Sequence, residues 1–219
     1  METKVAITGG TLGLGLALVR EWRWRGAKVA FVARSPEAVA RIEAQNPGSV
    51  GIAGDVSKKE DIHPIALQIL GRLGGLDVLV NNASSLGPTP LVPLADTECE
   101  RFEQALATNL LGPSRLTKAL LGALRASAAE GRGGIVLNIS SDAAITPYAN
   151  WGAYGASKAA LRHMSAIWNE ELAGEGVRVL SADPGDMDTL LHRIALPDAD
   201  PATLKRPETA ARELMQLLL

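Results

Sequence analysis

Two residues in this chain have types and a spacing suited to moving a proton. Tyr154 and Lys158 stand in YGASK, with only Gly155, Ala156 and Ser157 between them. Residues i and i+4 of a helix share one face, with Cβ atoms about 5–6 Å apart. A phenol ionises near pH 10, which makes it a poor acid or base at neutral pH. An ammonium about 4 Å away favours the phenolate. At an effective dielectric of about 20 the attraction approaches 4 kcal/mol, or at most about three pKa units. Burial acts in the opposite direction. The pair is expected to give a tyrosine tuned toward neutrality and fit for general acid–base work. The small residues between the two are expected to leave room for a bulky ligand. Ser141 lies thirteen residues before Tyr154, and Asn109 stands in TNLLGP.

A second constellation has the composition of an anion cradle. TGGTLGLG, residues 8–15, lies between an apolar run and a helical one. Gly9, Gly13 and Gly15 permit a tight turn and let a diphosphate approach the backbone, and the helix that follows offers free N–H groups and its positive dipole end. The loop residues Gly9, Thr11, Leu12, Gly13, Leu14 and Gly15 are therefore assigned to a dinucleotide. The alternative is a glycine-rich turn used only for packing. Arg34 and Ser35 end the second apolar run, where a carboxylate would hold the ribose diol of NAD. None is present, and a guanidinium suits a 2′-phosphate, so NADP(H) is expected, with NAD(H) as the lesser option. The competing role for Arg34 is a surface pair with Glu37. Asp55 and Val56, after the third run, are placed at the adenine edge, although Asp55 as a helix cap fits equally.

The elements that must position these groups alternate along the chain. Apolar runs at 4–8, 28–33, 49–54, 76–83, 134–141 and 177–183 read as strands. Helical spacing fills 14–26, 36–45, 58–74, about 98–127 with a bend near Gly112-Pro113, 154–174 and 208–219. Near-continuous apolar strands are buried on both faces, which predicts an α/β fold with a doubly wound, Rossmann-type parallel sheet of about six strands. Ligands of such sheets sit beyond the carboxyl ends of the strands. Residues 186–208, with three prolines, interrupt the rhythm and are expected to be a lid or an irregular segment.

Composition narrows the setting. The 219 residues carry a net charge of −2, which gives no reason to expect a nucleic-acid partner. Cys99 is the single cysteine, so no internal disulfide forms. No signal peptide and no membrane span are expected, and no metal-ligand cluster is assigned. One domain over 1–219 in the cytoplasm is expected.

With TGGTLGLG, NNA at 81–83, Asn109, ISS ending in Ser141, YGASK and PGDMDT at 184–189 in order, the sequence resembles the short-chain dehydrogenase/reductase family. The resemblance implies an oxidoreductase that moves a hydride between NADP(H) and a small carbonyl compound or secondary alcohol. It makes Tyr154 the acid–base residue and gives Lys158 the roles of lowering its pKa and holding the nicotinamide ribose. Ser141 is to bond the substrate oxygen; Ser140 is its competitor, with the wrong spacing to Tyr154. Asn109 is to fix a water leading from Lys158 to solvent. Asn82 and Ala83 are to pass under the cofactor, and Pro184, Gly185, Met187 and Thr189 to lie along the nicotinamide. Asn81 is taken as structural. Trp151 and Met187 are candidates for the substrate pocket, His192 and His63 for the surface, and Trp22 and Trp24 for packing.

Three features depart from the family pattern. Ser84 stands where the family has glycine; its Cβ narrows the backbone choices beside the cofactor, and accommodation rather than failure is expected. Leu12 occupies a place where many NADP-using members have a base. The family's final strand is expected to be missing, with homodimerisation through helices at about 98–127 and 154–173. The alternative function is a regulatory or scaffold protein of the same fold with little turnover.

Overall fold

The computed structural model describes residues 2–218. Six strands, β1 (Lys4–Thr8), β2 (Lys28–Ala33), β3 (Ser49–Ala53), β4 (Val78–Asn81), β5 (Ile135–Ile139) and β6 (Arg178–Ala182), form one sheet in the order β3-β2-β1-β4-β5-β6. Every pairing is parallel. The order reverses between β1 and β4, and this is where a crevice opens beyond the strand ends.

Alternation along the strands explains both layers. Val5, Ile7, Val29, Phe31, Val80 and Leu137 face one side, where α1 (Gly13–Trp24), α2 (Pro36–Gln45) and α8 (Pro207–Gln216) cover them. Ala6, Ala30, Val32, Leu79 and Val136 face the other, under α3 (Lys59–Leu73), α5 (Gly112–Ala129) and α6 (Gly152–Leu172). Strands buried on both faces are apolar throughout, and the sequence shows them so. α3 stops where Gly74 takes a left-handed conformation, its N–H closing on the Leu70 carbonyl. Trp22 is buried in the first layer, while Trp24 is exposed.

One polar chain crosses the second layer. Asn81 Nδ2 donates to Asn138 Oδ1 at 2.8 Å and to Thr117 Oγ1 at 3.2 Å. Asn138 Nδ2 then donates to Ser165 Oγ at 2.8 Å, and Ser165 donates to the Leu161 carbonyl. All four side chains are buried, so each amide is matched rather than stranded. Asn81 is structural, as its place at the strand end suggests.

Two segments differ from expectation. The helix expected over 98–127 is α4 (Cys99–Leu106), a π-helical turn at Ala107–Leu111, and α5. The break precedes Gly112-Pro113 because Pro113 has no N–H to give the Asn109 carbonyl four residues back. The stretch 186–208 is not irregular throughout. It holds a short helix, α7 (Leu190–Ala195), and is pinched at its base where Met187 bridges to Lys205. The amide of Lys205 donates to Asp186 O and that of Asp188 to Lys205 O. Among the described residues no helix is long and apolar enough to cross a membrane, and no group of His, Cys, Asp and Glu could hold a metal ion.

Candidate active site

The glycine loop is held from below. Gly9 takes a left-handed φ of 71°, and its N–H donates to Val32 O at 2.8 Å, tying the loop to β2. Thr8 Oγ1 accepts the amides of both Asn82 and Ala83 at 3.0 Å, which closes the switch point between β1 and β4. The side chain of Asn82 donates back to Thr8 O at 2.9 Å. Gly15 sits so close to this turn that a Cβ there would lie 2.6 Å from Asn82 Nδ2 and 2.8 Å from the Gly9 carbonyl carbon.

Whether a dinucleotide diphosphate fits is decided by what stands at the start of α1. Leu12, its N-cap, makes no side-chain cap, and the first turn contains no acidic residue. The first N–H groups of a helix have no partner within it. Here they stay uncapped beside an unobstructed Gly-Leu-Gly turn, so the residues fit an anion. Leu14 gives only backbone, since its side chain is buried in the core; Leu12 is exposed and Thr11 half-buried. Gly13 faces Thr189 across the crevice: a Cβ on Gly13 would be 3.3 Å from the Thr189 methyl. Thr189 Oγ1 also caps α7 by accepting from His192 N at 3.2 Å. Pro184 is buried, Gly185 has a φ of 76° and Met187 is half-buried beside the first core layer.

At the β2 and β3 ends the competing roles separate. Arg34 is exposed and, among the described residues, belongs to no ion pair. Glu37 accepts from Ser35 Oγ at 2.7 Å instead, a bond that holds its carboxyl below the usual range. Ser35 also caps α2 by accepting from Ala38 N. Asp55 does not cap α3, whose N-cap is Lys58; it accepts both the N–H and the hydroxyl of Ser57. Val56 has its side chain in the core.

Tyr154, Lys158 and Ser141 lie near one another at the end of β5. Lys158 is buried, its Nζ 5.5 Å from the Tyr154 ring centroid and donating to Ile139 O at 2.7 Å. The expected neutral-range phenol is not what this geometry gives. Burial pushes Tyr154 up to about 12, because the phenolate would lose its hydration; the nearby hydroxyls of Ser141 and Ser84 act the other way, while Asp183 and Asp142 raise it. Burial likewise lowers Lys158 to about 8, with Asp183 opposing. Ser157 is fully buried, and a Cβ on Gly155 would stand 3.0 Å from Ala143 O, so their size lets α6 pack closely.

Ser141 Oγ donates to Asp142 Oδ1 at 2.9 Å, and Tyr148 donates to the other oxygen of the same carboxylate at 2.6 Å. The bond from Tyr148, then those from Ser141 and Ala143 N–H, hold Asp142 below the usual carboxyl range against the opposing effect of burial. Ser140 is buried with its hydroxyl unpartnered among the described residues. Trp151 packs edge-on to Tyr154 at 5.6 Å between centroids. His192 is not a surface residue: its side chain is 11% exposed, with Nε2 3.9 Å from Asp186 Oδ1.

The π-helical turn brings Asn109 inward. Its Oδ1 accepts from Ser85 N at 2.8 Å and Ser84 Oγ at 3.3 Å; its Nδ2 donates to Ser85 O and to Ser157 Oγ, both at 2.8 Å. Ser157 in turn donates to Tyr154 O. The side chain of Asn109 is thus spent on holding residues 84–85 against α6. Sequence reasoning missed the role of Ser157, which reaches Asn109 only through the π-helical turn, and the Asp142–Tyr148 pair, which meets through the turn at 142–151.

Comparison with known proteins agrees with this geometry. Residues 3–198 match the family model described as short chain dehydrogenase. The chain is 34% identical over 211 residues to L-fucose dehydrogenase of Mus musculus, covering 96% of this chain and 75% of that one. It is 35% identical over 193 residues to serine 3-dehydrogenase of Rhizobium radiobacter, covering 86% and 74%. Among solved structures, the 3-ketoacyl-(acyl-carrier-protein) reductase of Brucella melitensis, complexed with NADH, superposes with a TM-score of 0.91 at 27% identity, over 100% of this chain and 91% of that one. A neighbour from Shigella flexneri, complexed with NADP, gives 0.83 at 26% identity over 93% and 85%. Matched along nearly its whole length in sequence and in fold, the chain belongs to the short-chain dehydrogenase/reductase family, whose members bind NAD(P) and act as oxidoreductases on CH–OH and C=O groups.

Proposed function

We propose that this enzyme transfers a hydride between NADP(H) and a small carbonyl compound or secondary alcohol, with Tyr154 as the general acid and base. The observation that carries the reading is the buried Tyr154, backed by a buried Lys158 that is fixed on Ile139 O at the end of β5, with Ser141 just beyond that strand. The dinucleotide supplies or accepts the hydride. The chain does the rest. Tyr154 gives its proton to the substrate oxygen in reduction and takes one in oxidation. Ser141, freed from Asp142, donates to the same oxygen. Lys158, fixed on Ile139 O, places a cation under the phenolate, and Trp151 closes one side of the pocket. The uncapped first turn of α1 holds the diphosphate, and Asn82, braced on Thr8 O, passes under the cofactor.

The exposed, unpaired guanidinium of Arg34 supports a preference for the 2′-phosphate of NADP(H). A fluorescence titration with NADPH and NADH side by side tests it. NADPH should bind at least about ten-fold tighter, about 1.4 kcal/mol, and Arg34→Ala should erase that difference while leaving NADH affinity unchanged. Equal affinity for both in the parent protein would overturn the preference and leave the catalytic assignment standing. We also propose a cytoplasmic homodimer. The exposed Cys99 fits a reducing setting, and the exposed Leu111 and Ile167, on the π-helical turn that leads into α5 and on α6, fit an interface through those helices.

A further inference from the structure

We propose that Asp142 is a positioning residue for Ser141: its carboxylate holds the serine hydrogen, so the resting site offers a ligand a lone pair and prefers a hydroxyl group to a carbonyl. The inference rests on Ser141 as the group that meets the substrate oxygen.

The direction of each bond is forced by the groups present. An ionised carboxylate only accepts, whereas a serine hydroxyl has one hydrogen and two lone pairs. Ser141 Oγ lies 2.9 Å from Asp142 Oδ1, so its one hydrogen goes there. One lone pair takes the Ala143 N–H at 3.2 Å. The other is left for a ligand. Asp142 is itself held at both oxygens. Oδ1 also accepts from Ala143 N at 2.7 Å, and Oδ2 accepts from the Tyr148 hydroxyl at 2.6 Å. Tyr148 in turn packs against Trp151, with 6.4 Å between ring centroids, and Trp151 packs against Tyr154. The backbone beneath is closed by the amides of Ile145 and Thr146, which both donate to Asp142 O. Among the described residues no cation pairs with this carboxylate, so the charge that draws the serine hydrogen is not spent elsewhere.

The consequence differs for the two forms of the substrate. The Tyr154 hydroxyl, protonated at neutral pH, can give its hydrogen to the oxygen of either. An alcohol has a hydrogen of its own for the free lone pair of Ser141. A carbonyl oxygen has none, and sets its own lone pair against that of the serine. During reduction the carbonyl oxygen gains negative charge as the hydride arrives. Only then does it compete with the carboxylate for the serine hydrogen, since a bond to an ionised acceptor is about twice as strong as one to a neutral acceptor. Tyr154 supplies the transferred proton; Ser141 keeps its O–H bond throughout and only re-aims it. The new bond is thus made in the transition state and not in the bound ketone, which is the kind of interaction that speeds a chemical step.

Two measurements test this, and the first needs no ligand. With 13C in the aspartate carboxylates, the Asp142 resonance can be assigned by its loss in Asp142→Asn. It should titrate at a higher midpoint in Ser141→Ala than in the parent, because a donor to the charged form has been removed. A midpoint that does not move would overturn the role. The second measurement compares two ligands that cannot react on the NADP⁺-loaded enzyme at neutral pH. They are 1-methylcyclohexanol, which has no carbinol hydrogen, and cyclohexanone, which the oxidised cofactor cannot reduce. Asp142→Ala should shift the ratio of their dissociation constants toward the ketone by about ten-fold. In a Ser141→Ala background the same substitution should leave the ratio within about two-fold of its starting value. A turn merely loosened by the loss of Asp142 weakens both ligands alike. An unshifted ratio in Asp142→Ala, or an equal shift in both backgrounds, therefore sinks the proposal. A shifted ratio without turnover of any carbonyl or alcohol tried would count against the proposed reaction and leave the hold of Asp142 on Ser141 standing.

Discussion

Tyr154→Phe should lower carbonyl turnover by roughly 10²–10⁴-fold while leaving NADPH affinity within about two-fold, because only the proton-transferring atom is removed. The ring that packs edge-on to Trp151 remains. The two serines near the hydroxyl already bond elsewhere, Ser141 to Asp142 and Ser84 to Asn109, so no buried donor is stranded. Stability should therefore change by less than about 1 kcal/mol. Steady-state rates over a carbonyl panel, with NADPH fluorescence in parallel, decide the matter. Turnover within ten-fold of the parent would move the acid–base role to another group. The direction of the pH dependence follows from burial. A phenol pushed up to about 12 stays protonated at neutral pH in the cofactor-free enzyme, so the acid for reduction is present there. Alcohol oxidation needs the ionised form, and its rate should climb as pH rises.

Gly15→Ala should damage both the fold and cofactor binding. The added methyl would meet the Gly9 carbonyl and stand 2.6 Å from Asn82 Nδ2, and neither can yield cheaply. Gly9 is pinned through Val32 O, and Asn82 is bonded to Thr8 O. The turn and α1 must separate, at about 2–3 kcal/mol, which in a chain of this size lowers Tm by roughly 4–12 °C. The same displacement spoils the row of first-turn N–H groups, so NADPH affinity should fall at least about ten-fold. Gly122→Ala is the control. It lies within α5 with nothing within 4 Å of its added methyl, and should gain about 0.5–1 kcal/mol. A Gly15→Ala protein that melts with the parent and binds NADPH normally would show that the turn is not close-packed.

Much of this was legible in the sequence, for identifiable reasons. Both-face burial writes itself as KVAIT and KVAFVA, and a strand–glycine–helix order fixes where an anion sits. Tyr154 and Lys158 are local to one helix, so their spacing carried them. What stayed hidden depends on distant segments. Asn109 points inward because a π-helical turn precedes Pro113, and that widening has no periodicity of its own. His192 is covered by its own excursion, whose base is closed by Lys205 seventeen residues after Asp188. The phenol's ionisation was misjudged because the burial of Tyr154 is set by Leu86, Ala143 and Trp151, all outside its helix or at its edge.

The buried amide pair at the end of β4 and β5 has a consequence for how those strands find each other. Strands that are apolar on both faces are poorly distinguished from themselves shifted by two residues, since alternation survives such a slip. Asn81 and Asn138 are directly opposed in the ladder. A slip of two residues would part the two amides, setting Asn81 opposite Val136 or Ser140 and Asn138 opposite Ala83 or Leu79, and strand hydrogen-bonding groups without water, at about 1–3 kcal/mol apiece. The pair thus acts as a key for alignment during folding, and the crevice that depends on Asn82, one residue further on, inherits its accuracy.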